Sequence, residues 1–264
     1  MSARVTFQNV NVFSDEAGSL ELLRPQSNRR KKVTDILDRA FNLIQSPSGK
    51  AAMVSAAKEL IHQRRRENDM CLFDPKSRNP DYSRLPATVA LFLEKMKLNF
   101  PDVILGWVDD GEAATNRTQQ QWATAEEESE LQNFTPPDAG TMLLHRNIIG
   151  SMCNTNSDWE YQKFLFQMTI SVAHEIMHFF TSFLTGDGRP VTPRQVGVVG
   201  YPGEIGHLWE RIAIGGHIEF YSNPQPAITS PRAGTPFIFT NMSMAAYGKE
   251  VPERFVRRFV EGRE

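Results

Sequence analysis

Apolar and polar residues alternate through VTFQNVNVF, residues 5–13, and a period of two predicts a strand there. The period then lengthens to that of a helix. Residues 34–44 put Ile36, Leu37, Ala40, Phe41 and Ile44 on one face, and after the SPSG break residues 50–66 repeat the pattern with Ala52, Ala56, Leu60 and Ile61. The basic run that ends this second helix, HQRRREN, reads as a solvated helix terminus, where cations suit the helix dipole. Residues 71–84 are rich in Pro, Asp, Asn and Ser and predict a loop, followed by a helix over 87–98 and a short buried strand within PDVILGWVDD. Residues 109–140 are polar and predict a mobile surface segment with room for one short helix. TMLLHRNII, residues 141–149, has the β-branched and apolar character of a strand. Cap signals at Asn156, Ser157 and Asp158 open a helical stretch that stops at Gly186.

Length and composition narrow the class. The 264 residues are 40% hydrophobic, and no internal repeat or firm linker divides them, so the expectation is one folded α+β domain, mostly helical with a small β-sheet, over 1–264. A net charge of -2 gives no general attraction for nucleic acid or anionic membrane. The first residues lack a basic start followed by an apolar run, and no apolar stretch is long enough to span a bilayer, so a cytoplasmic protein is expected. Cys71 and Cys153 fit no disulfide framework and read as reduced thiols. Without an export signal, the sequons at Asn116, Asn133 and Asn241 carry no message.

The chemistry is in VAHEIMHFF, residues 172–180, where three ionisable groups sit inside an otherwise apolar helix. Burying such groups is costly unless they are paired or bind a metal. On a helix His174 and His178 lie one turn apart on one face and present two imidazoles to one point. Glu175 is rotated by about 100° from His174, suited to hold a water at that point rather than to be a ligand itself. This is the mechanical content of H-E-x-x-H. Zinc is the metal such donors select, in an open site whose water is acidified.

A third ligand must come from elsewhere. His62 and His145 lie on earlier elements, whereas GEIGHLWE, residues 203–210, follows within reach together with His217. Ile205, Leu208, Trp209 and Ile212 form its apolar stripe, and Glu204, His207, Glu210 and Arg211 fall opposite. A glutamate in the first turn, Glu204, is already explained by capping and dipole effects. Glu210 has no such explanation and is the expected third ligand, with Glu204 next and His207 third; the unused glutamate would then back a ligand histidine.

HEIMH followed by a glutamate on a later helix resembles the gluzincin arrangement of the zincin metallopeptidases, and LWER resembles the aromatic-flanked ligand glutamate of its aminopeptidase-type members. The resemblance covers residues 141–217 and is carried chiefly by the five-residue motif. The metzincin continuation H-x-x-G-x-x-H is absent, because FFTSFLTG follows His178. The resemblance implies a zincin-like fold, His174 and His178 as zinc ligands, Glu175 as general base, and a peptide substrate. It also implies that residues 141–149 are the edge strand on which an extended substrate pairs. Oxyanion stabilisation would fall to His207, Arg211 or Tyr201, among which the sequence does not choose. A zinc hydrolase activating water through Glu175 is the leading expectation. Its rival is a cytosolic zinc lyase, cyclase or isomerase that uses the metal as Lewis acid on a small molecule, since a propeptide and further zincin motifs are missing.

Overall fold

The structure is a computed structural model that describes residues 7, 10–16, 18–109, 111–117, 122–125, 127–186, 192, 203–221, 233–240 and 248–262. In chain order the described elements are β1 (Val12–Glu16), β2 (Ser19–Leu22), α1 (Asn28–Gln45), α2 (Pro47–Arg66), α3 (Leu85–Leu98), β3 (Val103–Gly106), β4 (Ala113–Arg117) and α4 (Pro136–Ala139). They continue with β5 (Gly140–His145), α5 (Arg146–Asn154), α6 (Asp158–Thr185), α7 (Ile205–Ile214), β6 (His217–Tyr221), β7 (Thr235–Phe239), β8 (Lys249–Glu250) and α8 (Glu253–Glu261). This is the expected α+β class with a helical majority. The first predicted strand is displaced: residues 1–6 and 8–9 lie outside the described residues, and β1 begins at Val12.

The larger sheet has the order β2-β1-β3-β5-β4, with β1, β3 and β5 parallel and β2 and β4 antiparallel at the two edges. Residues 140–145 are therefore an interior strand and not the edge strand expected from residues 141–149, whose last part starts α5. Their apolar alternation has the physical reason usual for a strand with both neighbours present: Met142 and Leu144 are fully buried. The edge is β4, drawn from the polar 109–140 stretch. Much of that stretch is tied to the body: Trp122 Nε1 donates to the Ser182 carbonyl at 3.1 Å, and Leu131 and Phe134 are buried.

The central helix is α6. Ser157 caps it by accepting from the Glu160 amide, Asp158 and Glu160 favour its positive end, and Gly186 closes it at φ 68. A side chain at Gly186 would also meet Ala123, its Cβ coming within 2.7 Å. Phe179, Phe180 and Phe183 are fully buried, and Phe92 and Phe134 stack around Phe180 and Phe183 with centroids 5.0 to 5.4 Å apart. The buried Thr169, Thr181 and Thr185 hydroxyls donate to carbonyls one turn back, so no polar cost remains there. No helix among the described residues is long and apolar enough to cross a membrane.

Two other elements fix the site's surroundings. In α7, Trp209 is fully buried and its Nε1 donates to the Gly49 carbonyl at 3.1 Å, which docks α7 on the start of α2. The basic end of α2 is not a solvated terminus. Arg64 is buried with Nε on the Met70 carbonyl, and Arg65 donates to the carbonyls of Phe73, Asp74 and Ser77, so these guanidiniums organise the 67–84 loop.

Candidate metal centre

His174, Glu175 and His178 face a cleft of about 420 Å³ between α6, β4, α7 and β6. The histidine Nε2 atoms converge on Glu204, whose Oε1 lies 2.9 Å from His178 Nε2 and 3.5 Å from His174 Nε2. Glu204 stands at the N-cap of α7, yet its side chain makes no capping hydrogen bond. Its Oε1 is buried without a hydrogen-bond partner of good geometry despite the two nearby rings. A buried carboxylate oxygen with no hydrogen bond, aimed at two imidazole nitrogens, is what a cation held by all three would leave. His174, His178 and Glu204 each bring one donor atom within 4.8 Å of the others, and two nitrogens with one oxygen suit an open zinc site.

Glu210 lies on the other side of the His174 ring from Glu204. Its Oε1 is 2.7 Å from His174 Nδ1, the ring nitrogen turned away from Glu204, and its Oε2 accepts from the Ile218 amide at 2.9 Å. It is 2% exposed, so the polar face read from the sequence turns into the protein at this residue. Glu210 can join His174 and His207 in a second donor group, but the group holding both motif histidines takes Glu204. Gly206 makes room for this packing, because a Cβ there would sit 2.4 Å from the His174 ring. Burial opposes charge on His174, and Glu204 and Glu210 outweigh it, holding the imidazole well above the ordinary histidine range. Burial would raise the Glu204 carboxyl, but the two imidazoles hold it far below the usual carboxylate range.

Glu175 is 9% exposed, and its Oε2 accepts from Thr115 Oγ1 at 2.7 Å. The same hydroxyl lies 3.2 Å from the Glu175 carbonyl, so β4 is tied to α6 at the motif itself. Two residues on along β4, and hence on the same face, Arg117 Nη2 is 2.9 Å from His178 Nδ1. At the other end, Glu112 accepts from Gln167 Nε2 at 2.8 Å and from Ser171 Oγ at 3.3 Å. Thr115, Arg117 and Glu112 are absent from the sequence-based site. For Thr115 and Arg117 the signal is the i, i+2 spacing inside AATNR, which is invisible until the strand is known, and Glu112, just before that strand, gives none.

Of the oxyanion candidates, His207 lines the cleft, Arg211 does not, and Tyr201 lies outside the described residues. Burial, with His174 adding to it, pushes the His207 imidazole down to about 4, so it is neutral at pH 7. Glu219, 4.0 Å from His207, is raised by burial and by Glu210 and Glu112. Of the other histidines, His217 lies beside His207 with ring centroids 5.1 Å apart and stacks on Phe239, whereas His145 Nδ1 caps α5 by accepting from the Asn147 amide and His62 is exposed on α2. No family model matches this chain, and neither a curated protein nor a solved structure does.

Proposed function

We propose that the chain is a zinc-dependent hydrolase of zincin-like fold, most simply a metallopeptidase, with His174, His178 and Glu204 as the zinc ligands in place of the Glu210 expected from sequence. The observation that carries this reading is the hydrogen-bond-free Glu204 Oε1 between two Nε2 atoms, beside a glutamate held at the cleft wall. Zinc bound there supplies Lewis acidity to a substrate carbonyl and to the attacking water.

The protein groups do the rest. Glu175 takes a proton from the water and returns it to the leaving group, and the Thr115 hydroxyl fixes the carboxylate's orientation. Glu210 orients the His174 ring through Nδ1. His207, neutral and within the cleft, is placed to donate to a developing oxyanion. Among the described residues one side of β4 is unpaired, and β4 lines the cleft, which supports an extended peptide as substrate over a compact one. Two free cysteines suit a cytoplasmic setting.

The test is Glu175→Gln assayed on a broad peptide library. The variant should keep its zinc and lose roughly a thousandfold or more in turnover, within the range of a general acid–base contribution. Zinc retained by both proteins with no peptide cleaved by the wild type would hand the site to small-molecule chemistry.

A further inference from the structure

We propose that Arg117 locks the metal site: in the metal-free protein it holds His178 in the tautomer that cannot bind a cation, and metal loading must release it. The proposal rests on reading His174, His178 and Glu204 as the metal ligands. A guanidinium has five N–H donors and no acceptor. His178 Nδ1, 2.9 Å from Arg117 Nη2, therefore accepts that hydrogen bond. A neutral imidazole accepting at Nδ1 carries its proton at Nε2, the nitrogen 2.9 Å from Glu204. A cation at that point needs the Nε2 lone pair. The ring proton must pass from Nε2 to Nδ1, where it would meet a guanidinium with no lone pair to receive it.

His174 shows the opposite arrangement. Its Nδ1 faces the Glu210 carboxylate at 2.7 Å, an acceptor for the proton that stays on the ring when a cation takes Nε2. Behind one ligand stands an acceptor for that proton, and behind the other stands a donor. The two partners also differ in where they stand. Glu210 is buried in α7, whereas Arg117 ends the edge strand at the cleft and is more exposed.

The experiment is a zinc affinity measurement by chelator competition on the full-length wild type, Arg117→Met and Arg117→Gln. Methionine removes the donors, and the glutamine carbonyl can accept from Nδ1–H. Both variants should bind zinc roughly tenfold tighter than wild type, with Gln at least equal to Met, an effect of the size usual for groups behind a ligand histidine. Thermal melts check that the variants fold, and two dissimilar replacements keep the comparison available if one is unstable. In the metal-free wild type, nitrogen NMR of the ring should show the His178 proton on Nε2; a proton on Nδ1 would overturn the lock. Equal affinities would overturn it alone. Weaker binding by the variants would overturn it too, because Arg117 would then be supporting the bound state. Zinc binding by none of the three would remove the metal site and the lock together.

Discussion

The two walls of the cleft treat the same helix in opposite ways. From α7 come carboxylates: Glu204 at the two Nε2 atoms and Glu210 behind His174. From β4 come donors: Thr115 on the Glu175 carboxylate and Arg117 on His178. The α7 wall is anchored by a fully buried Trp209 on Gly49, while the β4 wall is the edge of a sheet, with one side unpaired among the described residues. In the proposed function that difference separates two jobs: the acidic wall supplies the carboxylates of the cation site, and the strand orients Glu175.

That division can be broken by substitutions on each wall. Glu204→Ala should weaken zinc binding by more than about a hundredfold, beyond what outer partners of a metal site usually cost, with the fold retained in far-UV circular dichroism. Glu210→Ala should cost less, roughly 10- to 100-fold in zinc affinity, because it leaves His174 Nδ1 and the Ile218 amide without their acceptor. If competition titrations reverse that order, the ligand is Glu210 after all. On the β4 wall, Thr115→Val should leave zinc affinity unchanged and lower kcat about tenfold with little change in KM, a loss within the reach of one hydrogen bond to a charged group. Thr115→Ser should restore it, and a Thr115→Val protein that loses zinc would join the two walls into one function.

The scaffold was legible in the sequence where local rules act alone. The capped, glycine-stopped α6 and its HEIMH face follow from short-range chemistry, whereas the SPSG stretch read as a break supplies the Ser46 cap and Pro47 that open α2 three residues before the expected start at 50. Where structure and expectation differ, the shared cause is that a local explanation stands in for a tertiary contact. Glu204 ranks behind Glu210 in the sequence on the strength of a capping role, yet its side chain makes no capping hydrogen bond. The arginines ending α2 match the dipole rule, yet Arg64 and Arg65 serve the carbonyls of the loop that follows the helix. AATNR has little strand propensity and no apolar alternation, and it becomes a strand only because β5 offers it an edge. Neither Thr115 nor Arg117 was visible before that pairing.

Zinc-edge X-ray absorption on metal-loaded protein tests the centre most directly. The site described here predicts one zinc per chain bound by two imidazoles and one protein carboxylate, with the carboxylate signature lost in Glu204→Ala and kept in Glu210→Ala. Absence of bound zinc, or a carboxylate that disappears with Glu210 instead, would contradict it.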